Sequence, residues 1–235
     1  MKILVIAAHP DDEVLGCGGT IARLVKEGQD VYIAILGEGI TSRYKQGEQV
    51  NSAVEQLHAT SRNVAKMLGA KDFFSYRLPD NRFDTLPLLD VVKIVEDLVA
   101  RLTPQIIYTH HGGDLNVDHA VVNRAVLTAT RPMQGNQVRD IYAFEIPSST
   151  EWSFQRFEPA FRPNFFLDIS TTIETKLNAL SQYDTEVRTF PHPRSPEAIR
   201  SNAARWGSVV GCEAAEAFEL IRAIRLGGDA NGTAY

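Results

Sequence analysis

Ile3-Leu4-Val5-Ile6-Ala7-Ala8 runs without a break into His9-Pro10-Asp11-Asp12-Glu13. A short apolar run bounded at once by proline and acid reads as a strand buried on both faces, the kind found in a parallel sheet covered by helices. The sequence then repeats the pattern. Residues 20–27 read as a helix with Gly28 as its stop, 31–36 as a second strand, and 46–68 as a long amphipathic helix closed by Gly69. Strands at 72–76, 105–109 and 140–145 alternate with helices at 88–102 and 118–130. Such alternation predicts an α/β fold with a mainly parallel sheet flanked by helices.

Beyond Ile146 the alternation stops. A strand is expected at 165–168 and helices at 173–183, 196–207 and 212–224, the last placing Glu213 and Glu216 as exposed charge beside Phe218. No linker separates this part from the rest, so residues 1–226 are expected to form one domain with a C-terminal elaboration on the same sheet. The small polar tail, 227–235, is expected to be disordered.

Composition removes several functions. The 235 residues carry a net charge of -5 and no dense basic run, so neither nucleic acid nor an anionic membrane is a general partner. No stretch is long enough to span a bilayer, so no membrane insertion is expected. Two cysteines far apart, Cys17 and Cys212, make no disulfide framework and no Cys-x-x-Cys motif. A cytoplasmic protein is the expectation.

In open α/β sheets, ligands bind beyond the carboxyl ends of the strands, where strand order reverses. In the common doubly wound order, the first and fourth strands flank that point. One leads into His9-Pro10-Asp11-Asp12-Glu13 and the other into His110-His111-Gly112-Gly113-Asp114-Leu115-Asn116-Val117-Asp118-His119. Imidazole and carboxylate together suit zinc, and a catalytic zinc takes three protein ligands and a water. His9 and Asp12 can face one point, and His119 can supply the third ligand. Asp11 lies between the first two and is free to act as a general base, so the clusters suggest a metal-dependent hydrolase.

The stretch Ala8-His9-Pro10-Asp11-Asp12-Glu13, with Gly16-Cys17-Gly18-Gly19-Thr20 after it, resembles the opening motif of the PIG-L/LmbE deacetylase family, and Asn116-Val117-Asp118-His119 resembles its second motif. The resemblance spans roughly residues 1–225. It implies a Rossmann-like fold, a zinc ion (Zn2+) and hydrolysis of an N-acetyl group on an amino sugar, free, nucleotide-linked or otherwise conjugated. Carried over by position, it makes His9, Asp12 and His119 the metal ligands and Asp11 the base. Arg43 and Asp80 resemble positions that touch substrate. Some relatives carry a histidine where this chain has Asn116, which leaves the oxyanion donor among Asn116, His110, His111 and His192, with His192, from the same subunit or a neighbouring one, favoured. Asp114 is expected to orient a histidine ligand. Relatives often assemble, so a homo-oligomer is an expectation.

Two other readings compete. A nucleotide-binding Rossmann protein would use the glycines after the first strand, but Gly16-Cys17-Gly18-Gly19 lacks the G-x-G-x-x-G spacing and three carboxylates precede it. A metal-binding relative without catalysis would not require Asp11.

Overall fold

The computed structural model describes residues 1–44 and 50–227. Strand β1 (Lys2–Ala7) alternates its side chains between two layers: Ile3, Val5 and Ala7 join one core cluster, Leu4 and Ile6 the other. Helices α1 (Asp12–Lys26) and α2 (Asn51–Met67) cover the first face, with Val14, Ile21, Val54 and Val64 in that core. Helices α3 (Leu88–Leu102) and α4 (Val117–Ala129) cover the second, through Val91, Leu98, Val122 and Val126. Because β1 has no exposed face, its sequence carries no polar alternation, which is why a bare apolar run announced it.

The remaining strands are β2 (Asp30–Gly37), β3 (Asp72–Leu78), β4 (Ile106–His110), β5 (Asp140–Phe144), β6 (Phe165–Asp168) and β7 (Ala215–Ala223). They form one seven-stranded sheet in the order β3-β2-β1-β4-β5-β7-β6. The first five are mutually parallel, whereas β7 runs antiparallel to both β5 and β6. The α/β expectation therefore holds, and order reverses between β1 and β4, where the two polar clusters were expected to meet. Helices α5 (Ile173–Leu180) and α6 (Pro196–Val210) complete the last third. Among the described residues no helix is long and apolar enough to cross a membrane.

Two expectations need correction. Residues 212–224 are not a helix: Ala215–Ala223 is a strand between β5 and β6, with Phe144 opposite Phe218 and Leu167 opposite Glu216. Alanine, glutamate and leucine favour helix intrinsically, but pairing on both edges decided the conformation here. Nor does the glycine-rich stretch lie outside a helix. Helix α1 starts at Asp12, kinks at Cys17 and continues through Gly18 and Gly19. A Cβ on Gly16 would sit 2.4 Å from the Phe144 ring, and one on Gly19 2.8 Å from the Ile169 side chain. The glycines are there to let the helix approach the sheet closely. The expected start of the second long helix at 46, and the tail beyond Gly227, lie outside the described residues.

The kink explains Glu216, which is buried rather than exposed. Its carboxylate accepts hydrogen bonds from the backbone N–H of Gly19 (3.0 Å) and Thr20 (2.7 Å), two donors at the irregular part of α1. Lys176 Nζ, also buried, donates to Glu216 Oε1 at 2.6 Å and to the Leu15 carbonyl at 2.8 Å. Lys176→Met removes one partner and strands the other charge, so it is expected to lower the unfolding free energy by about 3–5 kcal/mol. Urea denaturation measures this, and a loss near that of a surface substitution would show that Glu216 is satisfied by the backbone alone.

Candidate metal centre and adjoining cleft

Strand β1 delivers His9 to the reversal point, and the chain turns sharply behind it. Asp11 has φ 101, a conformation rarely adopted by a residue with a side chain, and stands at the N-cap of α1. Its backbone N–H donates to Glu13 Oε2 at 3.1 Å, and Glu13 Oε1 accepts from the Tyr183 hydroxyl at 2.6 Å. Burial pushes the Glu13 carboxyl up to about 7, against the pull of the Tyr183 hydrogen bond. This turn puts Asp12, the first residue of α1, next to His9. From the other side of the reversal, α4 brings His119.

His9, Asp12 and His119 are all buried, each with a ligand atom inside a common radius: the three atoms lie within 4.8 Å of one another. Asp12 Oδ2 is 3.3 Å from His9 Nδ1 and 3.3 Å from His119 Nε2. His119 Nε2 is buried and makes no hydrogen bond. A buried ring nitrogen left in that state is costly, and a divalent cation would satisfy it. Two imidazoles and one carboxylate fit zinc.

The outer partners of this trio are equally defined. Asp118 Oδ2 lies 2.9 Å from His9 Nε2, while its Oδ1 accepts from the Phe83 N–H at 2.9 Å. Asp114 Oδ1 lies 3.1 Å from His119 Nδ1, and the Asp114 carboxylate also accepts from Ser149 Oγ, from Thr150 Oγ1 (2.6 Å) and from the Asn116 N–H (2.9 Å). Carboxylates placed behind histidine ligands fix ring orientation and tautomer. His9, Asp80 and Asp118 make a second group of ligand-type atoms within 4.8 Å. There Asp118 already accepts from a backbone N–H, and Asp80 Oδ2 accepts from the Ser42 N–H at 3.0 Å, so we read this group as the anchor of His9.

Charge distribution follows from these distances. Burial alone would lower His9, but hydrogen bonds with Asp118 and Asp12 raise it to about 10. His119 likewise rises against burial, to about 9, through Asp12 and Asp114. Burial would raise Asp12, yet the neighbouring His119 and His110 hold it well below the usual carboxylate range. Asp114, buried but hydrogen-bonded by His119, Ser149 and Thr150, falls to about 2. Burial drives Asp11 upward, and the charges of Asp12, Glu186 and Glu13 add to this while Arg194 opposes it. The surrounding carboxylates thus favour the protonated forms of both imidazoles, and metal binding competes with those protons.

Beside the trio opens a polar cleft of about 380 Å³ of empty space, partly open to solvent, lined by His9, Asp11, Asp12, Arg43, Asp80 and Asn116 among others. Asn116 caps α4, its Oδ1 accepting from the Asp118 N–H at 2.9 Å, while its Nδ2 donates to Asn81 Oδ1 at 3.0 Å. Arg43 donates to Glu186 Oε2 at 2.6 Å. The structure thus brings together His9, Asp11, Asp12, Asp80, Arg43 and Asn116 around one cleft, with His119 and Asp114 behind it.

None of the three histidines considered for the oxyanion lines the cleft. His110 Nε2 accepts from the Ala8 N–H at 2.8 Å, and its ring stacks on His119 at 3.9 Å. His111 is held between Glu219 (2.8 Å) and the Pro159 carbonyl (2.8 Å). His192 is not among the residues lining the cleft; its ring meets Trp152 edge-on at 5.5 Å. Sequence reasoning missed Arg194, Glu186 and Asn81, which do line the cleft, and gave Asp118 no role at the site. Arg194 stands two residues from His192, in the same loop, and lines the cleft.

With this geometry, comparison becomes informative. The family profile described as PIG-L: GlcNAc-PI de-N-acetylase matches residues 4–130, and the chain belongs to that family. Among curated proteins it is similar to the "Uncharacterized deacetylase YaiS" of Escherichia coli K12, 32% identical over 187 residues, covering 77% of this chain and 89% of the relative. It is also similar to the diacetylchitobiose deacetylase of Thermococcus kodakarensis, 28% identical over 239 residues, covering 96% and 85%. The resemblance read from the two motifs is borne out, and the class is a hydrolytic deacetylase. Fold alone is less decisive: GalB, the 4-carboxy-2-hydroxymuconate hydratase of Pseudomonas putida KT2440, superposes with a TM-score of 0.74 at 20% identity, covering 96% of this chain and 98% of that one. The reaction has to be argued from the site and the family.

Proposed function

We propose that this chain is a zinc-dependent amidohydrolase that removes the N-acetyl group from an amino sugar or amino-sugar conjugate. The observation that carries this reading is the buried His9-Asp12-His119 trio, in which His119 Nε2 faces Asp12 without a hydrogen bond, opening on a cleft that also holds Asp11. His9, Asp12 and His119 would hold the metal. When bound, zinc supplies Lewis acidity at the acetyl carbonyl.

The rest is work for side chains. Asp11 accepts a proton from the attacking water as the carbon–oxygen bond forms, then returns it to the amine nitrogen as the carbon–nitrogen bond breaks. The products are acetate and the free amino sugar. Of the four residues considered for the oxyanion, Asn116 is the one that lines the cleft, so we move that role from His192 to Asn116. Arg43 and Asp80, which line the cleft, would contact sugar hydroxyls.

Both competing readings lose support. The glycines after β1 are packed against Phe144 and Ile169 rather than open to a pyrophosphate. Asp11 lines the cleft without being one of the three proposed ligands, a carboxylate that metal storage alone would not need. The family profile and the names of the relatives favour acetylated amino sugars as substrates. The test is acetate release by zinc-loaded protein from N-acetylglucosamine, N,N'-diacetylchitobiose and N-acetylglucosaminides with varied second groups. Release from at least one, abolished by a chelator, is expected. No release from any member by protein shown to hold zinc would refute the proposed reaction.

A further inference from the structure

Arg194 enters the cleft from a loop whose backbone is pinned. Prolines stand at 191, 193 and 196, restricting the chain on both sides of it. His192 Nδ1 accepts from the Arg194 N–H at 3.1 Å, with the His192 ring against Trp152. The next residue, Ser195, is buried and caps α6, its Oγ accepting from the Ala198 N–H at 3.1 Å. The start of the helix therefore sets where the arginine side chain begins.

Its guanidinium is tied at several points. Nε donates to Ser148 Oγ at 2.9 Å and to the Pro147 carbonyl at 3.3 Å, both in the loop after β5. One terminal nitrogen donates to Glu186 Oε2 at 3.3 Å and to Asp11 Oδ2 at 2.8 Å. Glu186 is itself buried and accepts from Thr185 Oγ1 at 3.0 Å and from Arg43 at 2.6 Å. Arg194 is thus a fixed strut reaching the one carboxylate whose orientation the proposed reaction depends on.

We infer that Arg194 is the positioning residue of the general base, engaging Oδ2 of Asp11 so that Oδ1 is presented to the reacting water, with Glu186 and Ser148 holding the guanidinium in place. This rests on the reading of Asp11 as the base. It also gives His192 a role: it sets the backbone of Arg194 and acts on the site only through it. An ion pair that merely joined the loop to α1 would predict lost stability and unaltered chemistry. A planar, multiply hydrogen-bonded arginine is suited to orientation in a way that a lysine ammonium is not.

The experiment compares wild type, Arg194→Ala and Arg194→Lys, each zinc-loaded and assayed on whichever acetylated sugar wild type hydrolyses. For Arg194→Ala, zinc content should match wild type, kcat should fall about a hundredfold and KM should move less than about threefold, since misplacing a reacting group by an ångström costs about that much. Added guanidinium ion should recover part of the lost kcat in Arg194→Ala, and Arg194→Lys should fall between the two. A crystal structure of zinc-loaded Arg194→Ala, or of Arg194→Lys should the alanine variant not fold, supplies the readout independent of turnover: the Asp11 carboxylate is expected to rotate from its present orientation. Normal kcat in Arg194→Ala, or an Asp11 carboxylate unmoved in that crystal structure, would overturn the assignment. If wild type releases no acetate, the proposed reaction fails on its own, and the crystal structure still decides what Arg194 does.

Discussion

Asp12→Ala is expected to emerge from purification without its metal and without acetate release. Asp12 is the carboxylate that both histidines face, with Oδ2 3.3 Å from His9 Nδ1 and 3.3 Å from His119 Nε2. Losing it leaves two imidazoles that need not remain close enough to share an ion. Losing a hydrogen-bond partner behind a ligand typically costs about 10–100-fold in metal affinity. Losing a ligand itself should cost more, so zinc should dialyse away from the variant under conditions where wild type keeps it. Removing Asp12 also withdraws a carboxylate that raises both imidazoles, so the folding of the variant is checked alongside its metal. Elemental analysis after dialysis, with circular dichroism as the folding control, reads this directly. Stoichiometric zinc in Asp12→Ala would mean that the ion sits on another set, and His9-Asp80-Asp118 would be next to examine.

Asp11→Asn should separate the two aspartates. It is expected to keep zinc and to lose about 10²–10⁴-fold in kcat, the range general acid–base groups contribute. Asparagine suits the position, being among the few residues that tolerate φ near the 101 seen at Asp11. Its amide oxygen can still accept from Arg194, which donates to Asp11 Oδ2 at 2.8 Å. What disappears is a group that can take a proton. Turnover within a few-fold of wild type would show that Asp11 is not the base.

The sequence disclosed the site more readily than the last third of the fold. His9, Asp12 and His119 could be grouped because a parallel sheet brings the ends of β1 and β4 to one edge regardless of the residues between them. The apolar run of β1, the helix at Leu88–Leu102 and the strand at Phe165–Asp168 were legible because each is locally consistent. Strand β7 was not, because Ala215-Glu216-Ala217-Phe218-Glu219 has helix-forming composition and becomes a strand only between β5 and β6. Helix α1 was misread because its glycines serve packing against Phe144 and Ile169, contacts made by residues more than a hundred positions away. Arg194 and Glu186 were missed for a related reason. Surface arginine and glutamate are ordinary in a loop, and only the folded chain shows Glu186 buried and Arg194 half-buried, the two joined to each other and Arg194 to Asp11.

The most direct test is a titration of metal-stripped wild type with zinc, following bound metal and acetate release on the same samples. Activity should be absent at the start, rise in proportion to bound zinc and level off at about one equivalent, as a single three-ligand catalytic site requires. Acetate release by protein shown to be free of metal, or one bound zinc per chain with no release from any N-acetylated sugar, would contradict the assignment of His9, Asp12 and His119 as a catalytic zinc site.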